Sequence, residues 1–210
     1  LKQRQFNLAD LFEIVVDTVP HRLALVVAGS SGLTCRQLDE RANRFADHLR
    51  STGIRAGERV GILAQNRAGQ DQYAAAVVRI DLRTADDLYI LYAGGTTGMP
   101  KGVIWRHEDI FFAALGGGGW GGPPISDATE LADRISIDEP ARVVVMAVAP
   151  LMHGNAQWAM WNAFFMGGTA VLYDEAHFDP ELVLVRRFST TQGSVAASAT
   201  VSQIDPVHTP

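Results

Sequence analysis

Cysteine is almost missing from this chain: Cys35 is the only one in 210 residues. No disulfide framework can form within it, which fits a reducing, cytoplasmic setting. Apolar runs are short, and none approaches the ~20 residues that a membrane-spanning helix needs. The first residues, Leu1-Lys2-Gln3-Arg4-Gln5-Phe6-Asn7, lack the apolar core of a secretory signal. Positive charge is not clustered beyond pairs such as Arg186-Arg187, and the formal net charge is -5. Nucleic acid is therefore not an expected partner. None of the six histidines stands in an HExxH pair, and no Cys/His spacing suits zinc. No protein-held metal is expected. No serine occupies a GxSxG elbow, so hydrolase chemistry has no nucleophile to point at.

What is present is a core-forming pattern, with 47% hydrophobic and 20% charged residues. Asn7 is placed to cap a helix whose Leu8, Leu11, Phe12, Val15 and Val19 share one face, and Pro20 ends it. Arg22 to Ala28 reads as a strand, and Gly29-Ser30-Ser31-Gly32 as a hairpin turn. Thr34-Cys35-Arg36-Gln37 fits a capping box, followed by a helix burying Leu38, Ala42, Phe45 and Leu49 and stopped by Gly53. Arg59 to Ala64 reads as a strand, Ala68 to Val78 as a helix, and Asp87 to Tyr92 as a strand. Val103-Ile104-Trp105 returns as a strand, and His107 opens a helix through Leu115. Gly116 to Pro124 reads as a flexible loop. Its GxGxxG pattern follows a helix, the wrong context for dinucleotide binding. Arg142 to Ala149 reads as a buried strand, His153 to Phe165 as a helix, Gly168 to Tyr173 as a strand and Asp179 to Val185 as a helix. The alternation predicts an α/β fold with mixed or parallel sheets flanked by helices. From Arg186 onward small polar residues dominate, as in a poorly ordered tail.

The most telling stretch is Tyr92-Ala93-Gly94-Gly95-Thr96-Thr97-Gly98-Met99-Pro100-Lys101-Gly102. Glycines let backbone N–H groups approach an anion, threonine hydroxyls add donors, and lysine adds positive charge. The pattern is not a Walker A loop, because Lys101 follows Pro100 and precedes Gly102. Gly94, Gly95, Thr96, Thr97, Gly98 and Lys101 are nevertheless the expected phosphate-binding residues. His153, in Pro150-Leu151-Met152-His153-Gly154, follows a buried strand, where ligands of open α/β sheets bind. Packing is the equal alternative for it.

This loop resembles the phosphate-binding signature of the adenylate-forming superfamily, which includes acyl-CoA synthetases, luciferases and peptide-synthetase adenylation domains. Leu33 to Leu38 with Asn43 is similar to the family's early helix motif, and Pro150 to Gly154 to its second core motif. The run Gly98 to Asp109 is most similar to actinobacterial fatty-acyl and steroid-side-chain CoA ligases. The resemblance implies a partial N-terminal domain of that fold. It also implies a carboxylic acid substrate, ATP, Mg2+ and coenzyme A. An acyl-adenylate would form first, and the CoA thioester second. Lys101 would offset phosphate charge, and His153, Gly154 and Trp158 would line the acyl and carboxylate pocket. For the apolar helix with Trp158, Met160, Trp161 and Phe164 as a whole, ordinary core is the stronger reading and pocket wall the alternative.

The chain also departs from the pattern. Ala93 replaces a threonine. The stretch from Asn66 to Asp86 is short, as if a segment were deleted near Ala76 to Asp81. The resemblance fades near Leu184. The expected organisation is an incomplete first subdomain over 1–80 and an incomplete phosphate-loop and acyl-pocket subdomain over 81–185. A tail follows over 186–210, and a C-terminal lid domain with its adenylation lysine is absent. No catalytic residue is assigned with certainty. The expected function is acid–CoA ligase by ancestry with little or no turnover alone. The alternative is a non-catalytic nucleotide- or acyl-binding fragment, or a partner of a full-length relative. Homo- or hetero-oligomers are expected to be possible through exposed edges.

Overall fold

The computed structural model describes residues 5–27, 32–55, 58, 60, 84–93, 101–119, 122–136, 143–147, 149, 151 and 153–172. The elements expected over 59–64, 68–78 and 179–185, the turn over 29–32, the phosphate-loop segment 94–100 and the tail from 186 fall almost wholly outside them.

Helix α1 spans Leu8–Thr18. Asn7 caps it through its side-chain oxygen, which accepts from Ala9 N–H at 2.9 Å, so one orphan donor of the first turn is satisfied. Strand β1 (Leu23–Val27) pairs antiparallel with the short β2 (Leu33–Thr34). Thr34 then opens α2 (Cys35–Ser51) through the predicted capping box, formed reciprocally with Gln37. Gly53, at φ 91°, takes the left-handed conformation just past its end. The Cys35 thiol is buried, and burial pushes its pKa up to about 11 despite Arg22 nearby, so it is not a reactive thiolate.

A separate antiparallel ribbon is made by β3 (Leu88–Ala93) and β4 (Lys101–Arg106), in register from Leu88↔Arg106 to Ala93↔Lys101. It runs directly into α3 (His107–Ala114). The glycine-rich loop that follows has a close-packed start. Gly116–Gly118 makes a 3-10 turn, and a Cβ on Gly119 would lie 2.3 Å from Pro123 O. Only glycine fits that close approach. Next comes α4 (Glu130–Ser136), a helix the sequence reading did not assign.

Strand β5 (Val144–Ala147), helix α5 (Gly154–Phe165) and strand β6 (Thr169–Leu172) complete the described fold. The main sheet has the order β2-β1-β6-β5, with β1 and β5 both parallel to β6. This is the predicted mixed, largely parallel α/β architecture. The sheet joins strands from both sides of residue 80. Thr169 Oγ1 fastens them by donating to Leu23 O at 2.7 Å.

The core is aromatic where helices meet. Phe12 of α1 lies 5.3 Å from Phe164, and Phe111 of α3 lies 5.4 Å from Phe165, both rings of α5. Trp161 stacks on Phe165 with centroids 5.4 Å apart. Such ring pairs add about 0.5–1.5 kcal/mol each beyond the area they bury. Met160, Trp161 and Phe164 are all buried, which confirms the core reading for that stretch of α5.

Candidate functional site

The glycine- and threonine-rich segment is bracketed by two residues whose placement is described. Ala93 ends β3, Lys101 begins β4, and the two are register partners. A segment closed by a paired strand end has its entry and exit held about one strand spacing apart. Alternation places Leu88, Ile90, Tyr92, Ile104 and Arg106 on one face of the ribbon. Tyr89, Leu91, Lys101, Val103 and Trp105 lie on the other. Lys101 is exposed. Gly94, Gly95, Thr96, Thr97 and Gly98 lie outside the described residues.

The second face meets α5. The Tyr89 hydroxyl donates to Gln157 Oε1, and Gln157 Nε2 donates to Leu151 O at 2.6 Å. One turn back, Leu91 Cδ1 would lie 2.7 Å from a Cβ on Gly154, so glycine allows the strand and the helix start to touch. Burial raises the Tyr89 pKa above the ordinary tyrosine range, so the hydroxyl stays protonated and remains a donor. His153 is the N-cap of α5, with an exposed side chain that makes no capping hydrogen bond. Trp158 is half-buried beside Gly154. Its indole Nε1 is buried with no partner in hydrogen-bond geometry among the described residues. The ring still lies close enough to Tyr89 to oppose part of the burial effect on the hydroxyl. His153, Gly154 and Trp158 are thus gathered at one end of α5, next to the strand leading into the glycine segment.

The base of the ribbon is tied to α1. Asn7 Nδ2 donates to Thr84 O and to Asp87 Oδ2, both at 2.8 Å. Leu8 N–H donates to His107 Nδ1 at 3.4 Å, and His107 N–H donates to Asp87 O at 2.9 Å. His107 is 3% exposed. Burial pulls its pKa down to about 4, against the opposing pull of the Asp87 charge, and the neutral ring can then accept from the helix. Sequence reasoning located His107 in a first turn but missed this contact, which spans 99 residues of chain. Tyr89 and Gln157 were missed as well. Tyr89 carries a strand-like signal only, and nothing local marks Gln157. Among the described residues no three His, Cys, Asp or Glu side chains converge to hold a metal ion, and no helix is long and apolar enough to cross a membrane.

Comparison with known proteins adds a family to this geometry. The family model described as AMP-binding enzyme matches residues 12–85 and 70–200. A medium/long-chain-fatty-acid–CoA/3-oxocholest-4-en-26-oate–CoA ligase of Mycolicibacterium smegmatis is 31% identical over 84% of this chain and 46% of its own length. A 3-oxocholest-4-en-26-oate–CoA ligase of Rhodococcus rhodochrous is 31% identical over 80% of this chain and 45% of its own. The chain therefore spans about half the length of the curated relatives it matches. The first alignment runs over 261 positions, more than the 210 residues of the chain, so that relative carries residues with no counterpart here. The two family matches overlap at 70–85, the region already singled out as short. The o-succinylbenzoate coenzyme A synthetase of Bacillus subtilis, solved in complex with ATP and magnesium ion, superposes with a TM-score of 0.61 at 17% identity. That match covers 83% of this chain and 59% of the synthetase chain, and it shows a common fold. By sequence and by fold, the chain belongs to the AMP-binding enzyme family.

Proposed function

We propose that the chain is the phosphate-loop and acid-pocket portion of an ATP-dependent acid–CoA ligase. Its substrate class is fatty acids or steroid side-chain acids, and it has little or no turnover on its own. The observation that carries this reading is the seating of the ribbon. The strand leading into Gly94–Gly98 is bound through Tyr89 and Leu91 to the helix that starts at His153 and Gly154. A phosphate held by the loop would then lie near a carboxylate held at the start of α5, the proximity that attack on an α-phosphate requires.

The residues present fit the nucleotide. Gly94, Gly95 and Gly98 would offer backbone N–H groups, Thr96 and Thr97 hydroxyls, and Lys101 a charge-assisted bond at the loop exit. Ala93 contributes no side-chain donor where the family pattern has threonine. Such a bond to a charged group contributes roughly 1.5–3 kcal/mol, so its loss weakens binding without abolishing it. Bound magnesium would neutralise phosphate charge. His153, Gly154 and Trp158 would line the acid pocket. Coenzyme A would be the acceptor in the second half-reaction.

Acid-dependent exchange of labelled pyrophosphate into ATP tests the chemistry. Exchange that requires a medium- or long-chain acid supports adenylation by the chain itself. Binding of magnesium-ATP without exchange supports the non-catalytic form of the proposal, in which the chain acts as a binding fragment or as partner to a full-length relative. A folded chain that binds neither nucleotide nor acid contradicts both.

A further inference from the structure

We propose that Tyr89 and Gln157 are positioning residues that join the phosphate-loop ribbon to the acid-pocket end of α5 as one mechanical unit. This inference deepens the function proposed above and rests on it for its catalytic meaning. Its structural content stands separately.

On this side of the ribbon Tyr89 and Trp105 are partly buried against the core, while Val103 is 46% exposed. Two-stranded ribbons alone are marginal in water. The opposite face of this one is exposed, with Leu88 at 55%, Tyr92 at 69% and Ile104 at 60% of full accessibility. Its base is fixed to α1 through Asn7 and His107. Its loop end lies several residues farther along, on the side where β3 meets α5. There Tyr89 donates to Gln157 Oε1 and Gln157 Nε2 donates to Leu151 O. One amide side chain thus connects three pieces of backbone: β3, the segment before α5, and α5 itself. His153 stands between two of those anchor points, Leu151 and Gln157. Its carbonyl accepts from Gln157 N–H at 3.3 Å, so the side chain that receives Tyr89 and the backbone that fixes His153 belong to one residue. Leu91 against Gly154 adds an apolar contact two residues along the same strand face. Because the Tyr89 hydroxyl stays protonated across the physiological range, the link persists there.

The variants Y89F and Q157E separate the two bonds. Y89F removes only the hydroxyl. Q157E keeps an acceptor for Tyr89 and removes the donor to Leu151. Amide hydrogen exchange on the full chain is the readout, followed over 88–93 and 151–158, with 8–18 and 169–172 as internal controls. Without ligand, Y89F is expected to speed exchange in both 88–93 and 151–158 by about fivefold, the effect of one net hydrogen bond, with the controls unchanged. Q157E is expected to speed 151–158 more than 88–93. With saturating magnesium-ATP, the wild type is expected to protect both segments, and Y89F to protect 88–93 alone.

Equal exchange in wild type and Y89F without ligand overturns the link, whatever the nucleotide does. So does undiminished transmission of nucleotide protection to 151–158 in Y89F. If magnesium-ATP protects neither segment in the wild type, the nucleotide reading fails. The ligand-free comparison then still decides whether Tyr89 and Gln157 join the ribbon to α5.

Discussion

Two regions of this molecule are held by different balances of burial and hydrogen bonding. The main sheet and its helices are fixed by burial: Phe12, Trp161, Phe164 and Phe165 are each at most 3% exposed and touch one another across α1 and α5. The β3–β4 ribbon exposes Leu88, Tyr92 and Ile104 on one face, packs Tyr89 and Trp105 only partly against the core on the other, and is tied by hydrogen bonds at its base through Asn7, Asp87 and His107 and along β3 through Tyr89. The exposed ion pairs of Arg106 with Asp86 and Glu108 add little to that anchoring. The proposed nucleotide segment belongs to the second region. The proposed acid-pocket residues His153, Gly154 and Trp158 stand at the start of α5 in the first region, so the proposed site spans both.

The contrast can be broken most severely in the core. Phe12→Ala is expected to cost about 3–5 kcal/mol in denaturant unfolding, because it leaves a cavity among the rings of α5. A cost under 1 kcal/mol would mean that the aromatic cluster is not what holds the sheet region together.

The next largest effect is a pH dependence. His107 is neutral when folded, with its pKa lowered from 6.5 to about 4. Above pH 6.5 folded and unfolded chains are both neutral there. As pH falls the unfolded chain takes up the proton first, so stability drains away between about 6.5 and 4. The total is about 3 kcal/mol by linkage. His107→Gln is expected to remove that component, so the stability gap between wild type and variant narrows by about this amount from pH 7 to pH 4. A gap independent of pH would show that His107 does not sit buried and neutral against α1.

Asn7→Ala discriminates the regions more finely. It removes a helix cap and two bonds to the ribbon base, and about 2 kcal/mol is expected. Exchange should rise in 84–93 as well as in α1. Thr34→Ala, which breaks the capping box of α2, is expected to cost only about 1 kcal/mol and to leave 84–93 unchanged. If the two variants affect 84–93 alike, the ribbon is not anchored separately through Asn7.

How far the sequence was legible follows the same division. Local signals were reliable where local chemistry decides the structure. The Asn7 cap, the Thr34–Gln37 box, Gly53 and the apolar runs at 144–147 and 169–172 all lie where the residues indicated. Helix α4 was missed because its starting signal is a set of side chains folding back on one another. Ser126 donates to Glu130 at 2.6 Å and Thr129 N–H to Asp127 at 2.8 Å, within a segment that reads as polar loop. Gly116 to Pro124 is a loop as expected, but the 3-10 turn within it and its packing against Pro123 and Ile125 were not legible, because they are not properties of the glycines themselves. The proposed nucleotide segment stands out in the sequence by its residue types. The ties that seat it join residues 68 to 99 positions apart, and no local pattern encodes them.

The central claim is that the segment closed by Ala93 and Lys101 binds the phosphates of ATP. Calorimetric titration of magnesium-ATP into the wild type and into Lys101→Ala tests it most directly. The account predicts saturable binding to the wild type, weakened at least tenfold by the loss of one charge-assisted contact. Equal affinity in the two proteins, or no binding by a wild type that unfolds cooperatively, would contradict it.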